Sequence, residues 1–448
     1  MSKYLYGASV QGIQEFIFAT NKLKEIVGAS EIIKQIANEF EKNYNPDEVL
    51  VNAAGNIKAI FNSKEECQKV VLEFSKHIEQ KAYAISISQA VVIFQGEHTQ
   101  TDREKLEEKL KIQRNRPSLP LDSSINVMKL NPLTAKPLVN SNSDRASQQK
   151  LDAYKSIEQD ETYKELQHIS NSKNKLAVIH IDGNGLGEVI RNLKTPLSQF
   201  STNLDKATKE AFNLAKQDKK VREIILGGDD VTVICDADDA LSFTKEFLKN
   251  FEEKTQKHIG SKLTACAGIA YTNEKYPFHY AVSLAEELCS QTKKHAKEIN
   301  ATLAPSSLMF HKIQSSNFQS WEKFVEDELT IPNDKESIRC DFGAYYLSEE
   351  SKPHINHLIT VVESLRVKES PKSKLRSWLS ELYKSSTDAQ NFLERVDSMA
   401  DINPNYKKSI LNKNFKALHK DLALNNLIVN KKTPIYDILQ ILSTTETK

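Results

Sequence analysis

The hydrophobic pattern of the chain changes period several times, and each change marks an element. Tyr4 to Val10 is a short apolar run that reads as a strand. Gly12 to Phe18 leads through Ala19-Thr20-Asn21 into a helical pattern carrying Ile33 and Ile36. Val49 to Asn52 and Ile57 to Phe61 are strand-like runs on either side of Ala53-Ala54-Gly55-Asn56. Glu65 to Gln80 has helical spacing, with Cys67, Val70, Val71, Phe74 and Ile78 on one face, and Tyr83 to Phe94 alternates like a strand. Strand, helix, strand-turn-strand, helix, strand is the order of a ferredoxin-like split βαβ unit.

Beyond residue 172 the pattern restarts. Leu176 to Ile181 is a strand ending in Asp182, and Phe200 to Lys216 is a helix. Ile224 to Ile234 is a hairpin with Gly227-Gly228-Asp229-Asp230 at its tip. A helix over Leu241 to His258 buries Phe243, Phe247 and Phe251, and a strand over Leu263 to Ala270 follows. Phe278 to Lys297 reads as a helix and Ser307 to His311 as an edge strand. The same separation links Ala53 to Gly227 and Ala8 to Asp182, so the chain carries one unit twice. Between the copies lie a charged helix over Asp102 to Gln113, a stretch broken by Pro117, Pro120, Pro132 and Pro137, and an acidic helix over Asp152 to His168. This reads as an inserted, partly flexible connector. From about residue 350 only helices are expected: His357 to Leu365, Ser373 to Tyr383, Ala389 to Met399, Lys407 to His419 and Tyr436 to Leu442. The expected class is α+β, with two ferredoxin-like domains (1–96 and 173–345), a helical connector (97–172) and a C-terminal helical domain (346–448).

Composition narrows the function. A length of 448 residues fits about three domains. A net charge of +1, from 61 basic and 60 acidic residues, gives no global field that advertises nucleic-acid binding, so RNA as a partner is not indicated by charge. From Ser351 on, 16 basic residues face 10 acidic ones, which fits a partner or polyanion surface and, more simply, a solvated helical face. Cys67, Cys235, Cys266, Cys289 and Cys340 never stand at CxxC spacing, which argues against a disulfide framework or a cysteine zinc site. The N-terminus is no signal peptide and no apolar run spans a bilayer, so no membrane partner and a cytoplasmic location are expected.

The chemistry gathers at the second hairpin. Glycine suits a tight turn, but two adjacent aspartates repel and gain from a divalent cation. A solvated acidic turn is the simpler reading of that turn alone. In a split βαβ sheet, however, the first and third strands are antiparallel neighbours, which brings Asp182 beside Asp229 and Asp230. The three are candidate ligands for Mg²⁺ or Mn²⁺. The run Gly183-Asn184-Gly185-Leu186-Gly187 can turn its backbone amides toward a triphosphate. Lys293 is placed to reach phosphate, with Lys294 and Lys297 equally eligible on composition. The set points to two-metal phosphoryl or nucleotidyl transfer. In the first copy Ala8 takes the place of Asp182, and Gly55-Asn56 the place of Asp229-Asp230, so no metal is expected there. That copy keeps turn-forming Gly12, Gly28-Ala29-Ser30 and Gly55-Asn56. It either binds a second nucleotide or only buries its sheet.

These pieces resemble a known family. Gly12-Ile13-Gln14-Glu15-Phe16-Ile17-Phe18, Gly28-Ala29-Ser30, Asp182 to Gly187, Gly227 to Asp230, Ala285-Glu286-Glu287-Leu288 running to Lys293, and Phe310 to Ile313 look like the polymerase/cyclase-like large subunit of type III CRISPR effector complexes. That family carries two palm domains. The resemblance spans roughly 1–345 and extends more loosely to the C-terminal helices. It implies that two ATP molecules bind between the palms and are joined into cyclic oligoadenylates for antiphage defence. It makes Asp182, Asp229 and Asp230 metal ligands and catalytic residues. It lays Gly183 to Gly187, Gly227 and Gly228 along the nucleotide, sets Lys293 on phosphate, and puts Ser30, Gly55 and Asn56 at the nucleotide of the first palm. Protein partners of an effector complex, or a homodimer, are implied as well. The chain departs from the family in three ways. It has no His-Asp dipeptide, so an HD nuclease domain and DNA cleavage are not expected. Its connector has no cysteine for a zinc insert, and Asn184 stands where the family often has Asp. A non-catalytic nucleotide-binding or scaffold subunit is the alternative. A GGDEF-like cyclase fits less well, because Asp230 and Val231 follow where that family has Glu-Phe.

Overall fold

The structure is a computed structural model that describes residues 2–446 except 54, 117–126, 158–164, 194, 315–319, 333–336, 349–352, 368–369 and 403–407. β1 (Ser2–Gln11) turns through Gly12, at φ 72°, into the short helix α1 (Ile13–Ile17). Then come α2 (Leu23–Tyr44), β2 (Glu48–Ala53), β3 (Asn56–Phe61), α3 (Lys64–Lys81) and β4 (Ser86–Gln95). The sheet order is β2-β3-β1-β4 with every pair antiparallel, the split βαβ arrangement expected from the pattern. One face carries Tyr6, Ala8 and Val10 against α2 and α3, where the rings of Phe40 and Phe74 meet 5.1 Å apart. The opposite face is covered by α4 (Gln100–Arg114), whose Leu106 and Leu110 pack on Leu5, Ile60, Val92 and Phe94. A helix expected in the connector therefore lies on the first sheet.

The connector continues with α5 (Arg145–Ser156) and α6 (Leu166–Ile169). This corrects the expectation of one helix over Asp152 to His168, part of which falls outside the described residues. The helix starts earlier because buried Asp144 is its N-cap, accepting from the Ser147 amide at 2.9 Å. The same carboxylate accepts from Asn131 and Thr134, which ties the proline-broken loop down.

The second unit comprises β5 (Lys175–Gly183), α7 (Leu186–Arg191), α8 (Leu197–Lys216), β6 (Val221–Gly227), β7 (Asp230–Asp236), α9 (Ala240–Ile259), β8 (Ala265–Asn273) and α10 (Phe278–Ile299). β9 (Ser307–Lys312), α11 (Trp321–Glu328), β10 (Thr330–Ile331), β11 (Ile338–Arg339) and β12 (Tyr345–Tyr346) extend it. The sheet order is β12-β9-β8-β5-β7-β6, so β8-β5-β7-β6 repeats β4-β1-β3-β2. β9 is not the edge strand expected: Leu308 and Ser307 pair outward with Tyr345 and Tyr346 of β12. α10 follows the fourth strand and covers its sheet as α4 does in the first unit. Each hairpin carries a bulge at the matching place, between Val49 and Val51 and between Glu223 and Ile225. The two units face each other across a pseudo-twofold axis, with α2 packed on β6 and α8 on β2.

Helices α12 (Ile355–Leu365), α13 (Lys372–Leu382), α14 (Ser386–Ile402), α15 (Lys408–Leu418) and α16 (Ile435–Thr444) form the C-terminal part. Asp437 at the start of α16 accepts from the Phe342 amide at 2.9 Å and the Tyr345 hydroxyl at 2.7 Å, which fastens the helices to the second unit. All five cysteines are buried and free. Among the described residues no helix is long and apolar enough to cross a membrane.

Candidate functional site

The second hairpin is a two-residue turn: Gly227 pairs with Asp230, and Gly228 takes φ 62°, a conformation that favours glycine. Thr208 of α8 donates to the Gly228 carbonyl and steadies the tip. β5 pairs with β7 up to Ile181 and Val231, so the next residue, Asp182, stands level with Asp230. Gly183 allows the close approach, since a Cβ there would lie 2.9 Å from that of Asp229. α10 crosses the same end of the sheet. A Cβ on Gly268 of β8 would come within 1.9 Å of the Ala285 carbonyl oxygen, so only glycine lets this helix lie so close. From α10, the Lys293 ammonium bonds Asp182 and, at 2.8 Å, the Gly183 carbonyl.

The charge balance at this edge is unfavourable to the carboxylates. Asp230 keeps 37% of its side chain exposed, yet its Oδ1 is buried without a hydrogen-bond partner. Burial first, then the charges of Asp182, Asp229 and Glu286, push its carboxyl up to about 7. Asp229 is raised to about 6 by burial and by the neighbouring Asp182. Glu286 of α10, half-buried, rises to about 7 through burial, opposed by a hydrogen bond from Gln14 of α1. His180 is 9% exposed, with Nδ1 at 3.1 Å from Thr232 Oγ1 and 3.6 Å from Asp230 Oδ1. Burial drives its pKa down to about 4, so it is neutral and offers Asp230 no counter-charge. Lys293 is then the cation among these groups.

Glu286 and His180 are the residues that reading the sequence missed. The signal for His180 is a polar side chain inside the apolar run Leu176 to Ile181. Glu286 lies seven residues before Lys293, hence on the same face of α10.

Raised carboxyl groups and an orphaned oxygen are the marks of a missing positive charge, and the donor set suits a hard divalent cation. The groups do not already form a ligand cage: among the described residues no three His, Cys, Asp or Glu are spaced to hold a metal ion. Lys293 holds Asp182 instead.

Between the units lies a cavity of about 1070 Å³. α1, α2 and β2 line it from the first unit and α8 and β6 from the second; Asp230 lines it too, whereas Asp182, Asp229 and Lys293 do not. Gly227 and Ser30 also line it. Ser30 donates to the Ile224 carbonyl, so it joins the two units. Gly28-Ala29-Ser30 is not a turn, as the sequence suggested, but the middle of α2. Gly28 is required where α5 crosses, since a Cβ there would lie 1.8 Å from the Lys150 carbonyl oxygen. Gly55, at φ 78°, is packed on Ile13 and Val10, and Asn56 is exposed at the turn; neither lines the cavity.

Gly185 starts the six-residue α7, and nothing lies within 4 Å of a Cβ placed on Gly185 or Gly187, so that loop is open. Leu186 is half-buried against the core. Asn184 turns inward, donating to Thr264 Oγ1 at 3.0 Å and to the Ala304 carbonyl at 3.4 Å. The hydrogen-bond register also corrects the alignment of the two copies. Ser9 pairs with Asn56, so Ser9, not Ala8, stands where Asp182 stands.

Residues 175–303 match the family described as Cas10/Cmr2, second palm domain. The single-strand-specific deoxyribonuclease Cas10/Csm1 (subtype III-A) of Streptococcus thermophilus is 27% identical over 208 residues, a match covering 44% of this chain and 24% of that protein. In fold, the chain is similar to Csm1 of T. onnurineus (TM-score 0.58, 14% identity, covering 98% of this chain and 69% of the other). It is also similar to a Csm1–Csm4 cassette in complex with pppApApA (TM-score 0.59, 14% identity, 99% and 69%). A cassette in complex with cA4 gives a TM-score of 0.55 at 14% identity, with 98% and 69% covered. The second unit thus matches a Cas10/Cmr2 palm, and the whole chain, with two palm sheets in tandem and a helical C-terminal part, is similar in fold to the Csm1 structures, of which it covers 69%.

Proposed function

We propose that the chain is a nucleotidyltransferase that joins ATP into oligoadenylates, cyclic in the finished product, and releases pyrophosphate. The observation that carries this reading is the convergence of Asp182, Asp229 and Lys293 on Asp230, which lines a cavity between two palms. The Csm1–Csm4 cassettes of similar fold include complexes with one ATP, pppApA and cA4, which supports nucleotides as the ligand class. The volume lies just above the range for a single small-molecule site, which suits two nucleotides.

In this reading the cavity takes the bases and riboses, and the triphosphate of the donor nucleotide lies beyond Asp230. Lys293 turns from Asp182 to phosphate, and the open amides of Gly185 to Gly187 face the same oxygens. A ribose hydroxyl of one nucleotide attacks the α-phosphorus of the other. The new P–O bond forms as the α–β bond breaks, pyrophosphate leaves, and the hydroxyl proton passes to water. Asp182, Asp229 and Asp230 would hold Mg²⁺ or Mn²⁺, which supplies a lowered hydroxyl pKa and charge neutralisation at the phosphates. Glu286 of the second palm accepts a hydrogen bond from Gln14 of the first, which ties the two palms together beside Asp230.

The Lys293–Asp182 pair, which engages one of the three carboxylates, favours a second reading, a nucleotide-binding subunit without turnover. Purified protein with ATP and Mg²⁺ separates the two. The first reading expects pyrophosphate and oligoadenylates by mass spectrometry, lost by at least about a thousandfold in Asp229→Ala/Asp230→Ala. Turnover that survives the double substitution would sink it. Nucleotide binding without product in the wild type would favour the second.

A further inference from the structure

The connector sends one buried cation to a helix of the cavity wall. Lys150 of α5 is 2% exposed, and its ammonium donates to the Phe16 carbonyl near the end of α1. The same nitrogen stands 4.3 Å from the centre of the Phe16 ring. Glu25 and Asp144 favour its charge from a distance, but among the described residues no carboxylate forms an ion pair with it. Burial pulls its pKa down to about 8.

The simplest account is that Lys150 fastens α5 to the first palm. Other contacts already do this. The α5 backbone sits against Gly28, Gln149 donates to the Gln80 carbonyl and accepts from the Tyr83 amide, and Ser147 donates to Glu25. A methionine would bury a similar stem without desolvating a charge. What the ammonium adds is a donor for a carbonyl at the end of α1.

α1 needs such support. Five residues are too few for a helix to hold by itself, and no side chain caps its start. Yet Ile13, Gln14, Glu15 and Ile17 line the cavity. The segment from α1 to the start of α2 also carries contacts of the first palm to α10. Gln14 bonds Glu286, and the Phe18 ring meets that of Phe278 at 5.5 Å. Asn21 Oδ1 accepts from the Phe278 amide at 2.7 Å and so caps the start of α10. α1 therefore links the connector, the cavity wall and the helix that presents Lys293.

We propose that Lys150 is a positioning residue for the nucleotide site: its ammonium fixes α1, and α1 in turn sets the cavity wall and the seat of α10. This rests on the reading of the cavity as a nucleotide site.

The test is calorimetric titration of the full chain with a non-hydrolysable ATP analogue and Mg²⁺, beside thermal unfolding and hydrogen exchange. Lys150→Met should keep the wild-type Tm within a few degrees, because an apolar side chain replaces a buried charge. It should bind the analogue about tenfold more weakly, as expected if α1 is in place in about one molecule in ten. Gln149→Ala, which loosens the connector without touching α1, should lower Tm and leave the affinity unchanged. In the wild type the amides of α1 should gain protection from exchange when the analogue binds. Wild-type affinity in a folded Lys150→Met protein, an equal loss in Gln149→Ala, or α1 amides that gain no protection in the wild type would overturn the proposal. So would a Lys150→Met protein that fails to fold, which assigns the lysine to stability. No analogue binding by the wild type would overturn the nucleotide reading itself, and this inference with it.

Discussion

The two palms share one frame and differ in what stands at its edge. At the end of the first strand and in the hairpin, the second palm has Asp182, Asp229 and Asp230 where the first has Ser9, Gly55 and Asn56. The covering helices differ in the same sense. α10 brings Lys293 and Glu286 to the edge, whereas α4 spends Glu107 on ordinary pairs with Lys58 and Arg114. The fold is thus built in the first palm without any buried acid at this place. Architecture does not explain the carboxylates of the second palm, and their raised pKa values show that they burden it.

The largest contrast lies under the covering helices. In the first palm Gly7 pairs with Ala90; in the second His180 pairs with Gly268. A Cβ on Gly268 meets the backbone of α10, but one on Gly7 meets only the side chain of Leu106, at 2.8 Å. Gly268→Ala should destabilise the protein by about 3 kcal/mol and Gly7→Ala by about 1 kcal/mol in urea unfolding. Equal effects would show that α10 is no more rigidly seated than α4.

Asn184 sharpens the contrast within the second palm. Its amide donates to Thr264 and Ala304, with Oδ1 buried and unpaired. Asn184→Asp would set a carboxylate against the Ala304 carbonyl and should cost about 2 kcal/mol without tightening Mn²⁺ binding. Tighter binding would mean that the side chain turns toward the carboxylates.

The acids predict a pH signature. A carboxyl raised in the fold binds more protons there than in the unfolded chain, so stability falls as pH rises from about 4 to about 7 and then levels off. Neutral His180 acts in the opposite direction, losing stability as pH drops below its unfolded value. Comparison with Asp229→Asn/Asp230→Asn isolates the acids. In chelator, the variant's Tm should match the wild type near pH 4.5 and exceed it by a few degrees at pH 8. An advantage that does not grow with pH would contradict the charge balance. In the first palm, Asn56→Asp sits at an exposed turn and should change stability by less than about 0.5 kcal/mol at any pH.

Much of this was legible in the chain. Apolar runs and alternation placed the strands of both sheets, because a strand between two covering layers must be apolar and a half-covered one must alternate. The hairpin tip was legible from its glycines, and Asp182 from topology. Three things were not. The register of β1 was misjudged by one residue, since the stretch between the first strand and the hairpin is one residue longer in the second copy and only hydrogen bonds reveal it. Gly28 looked like a turn because the helix that demands it, α5, lies far along the chain. Glu286 stood in the sequence only within the run Ala285 to Leu288; its place at the site follows from α10 bringing it beside Asp230.

The central claim is that the second palm, and not the first, is built around a divalent cation. Calorimetric titration of the full chain with Mn²⁺ in the presence of a non-hydrolysable ATP analogue tests it most directly. Wild type and Ser9→Ala/Asn56→Ala should bind alike, and Asp229→Asn/Asp230→Asn should lose at least about a hundredfold in affinity. Equal binding by all three proteins, or loss in the first-palm variant, would contradict it.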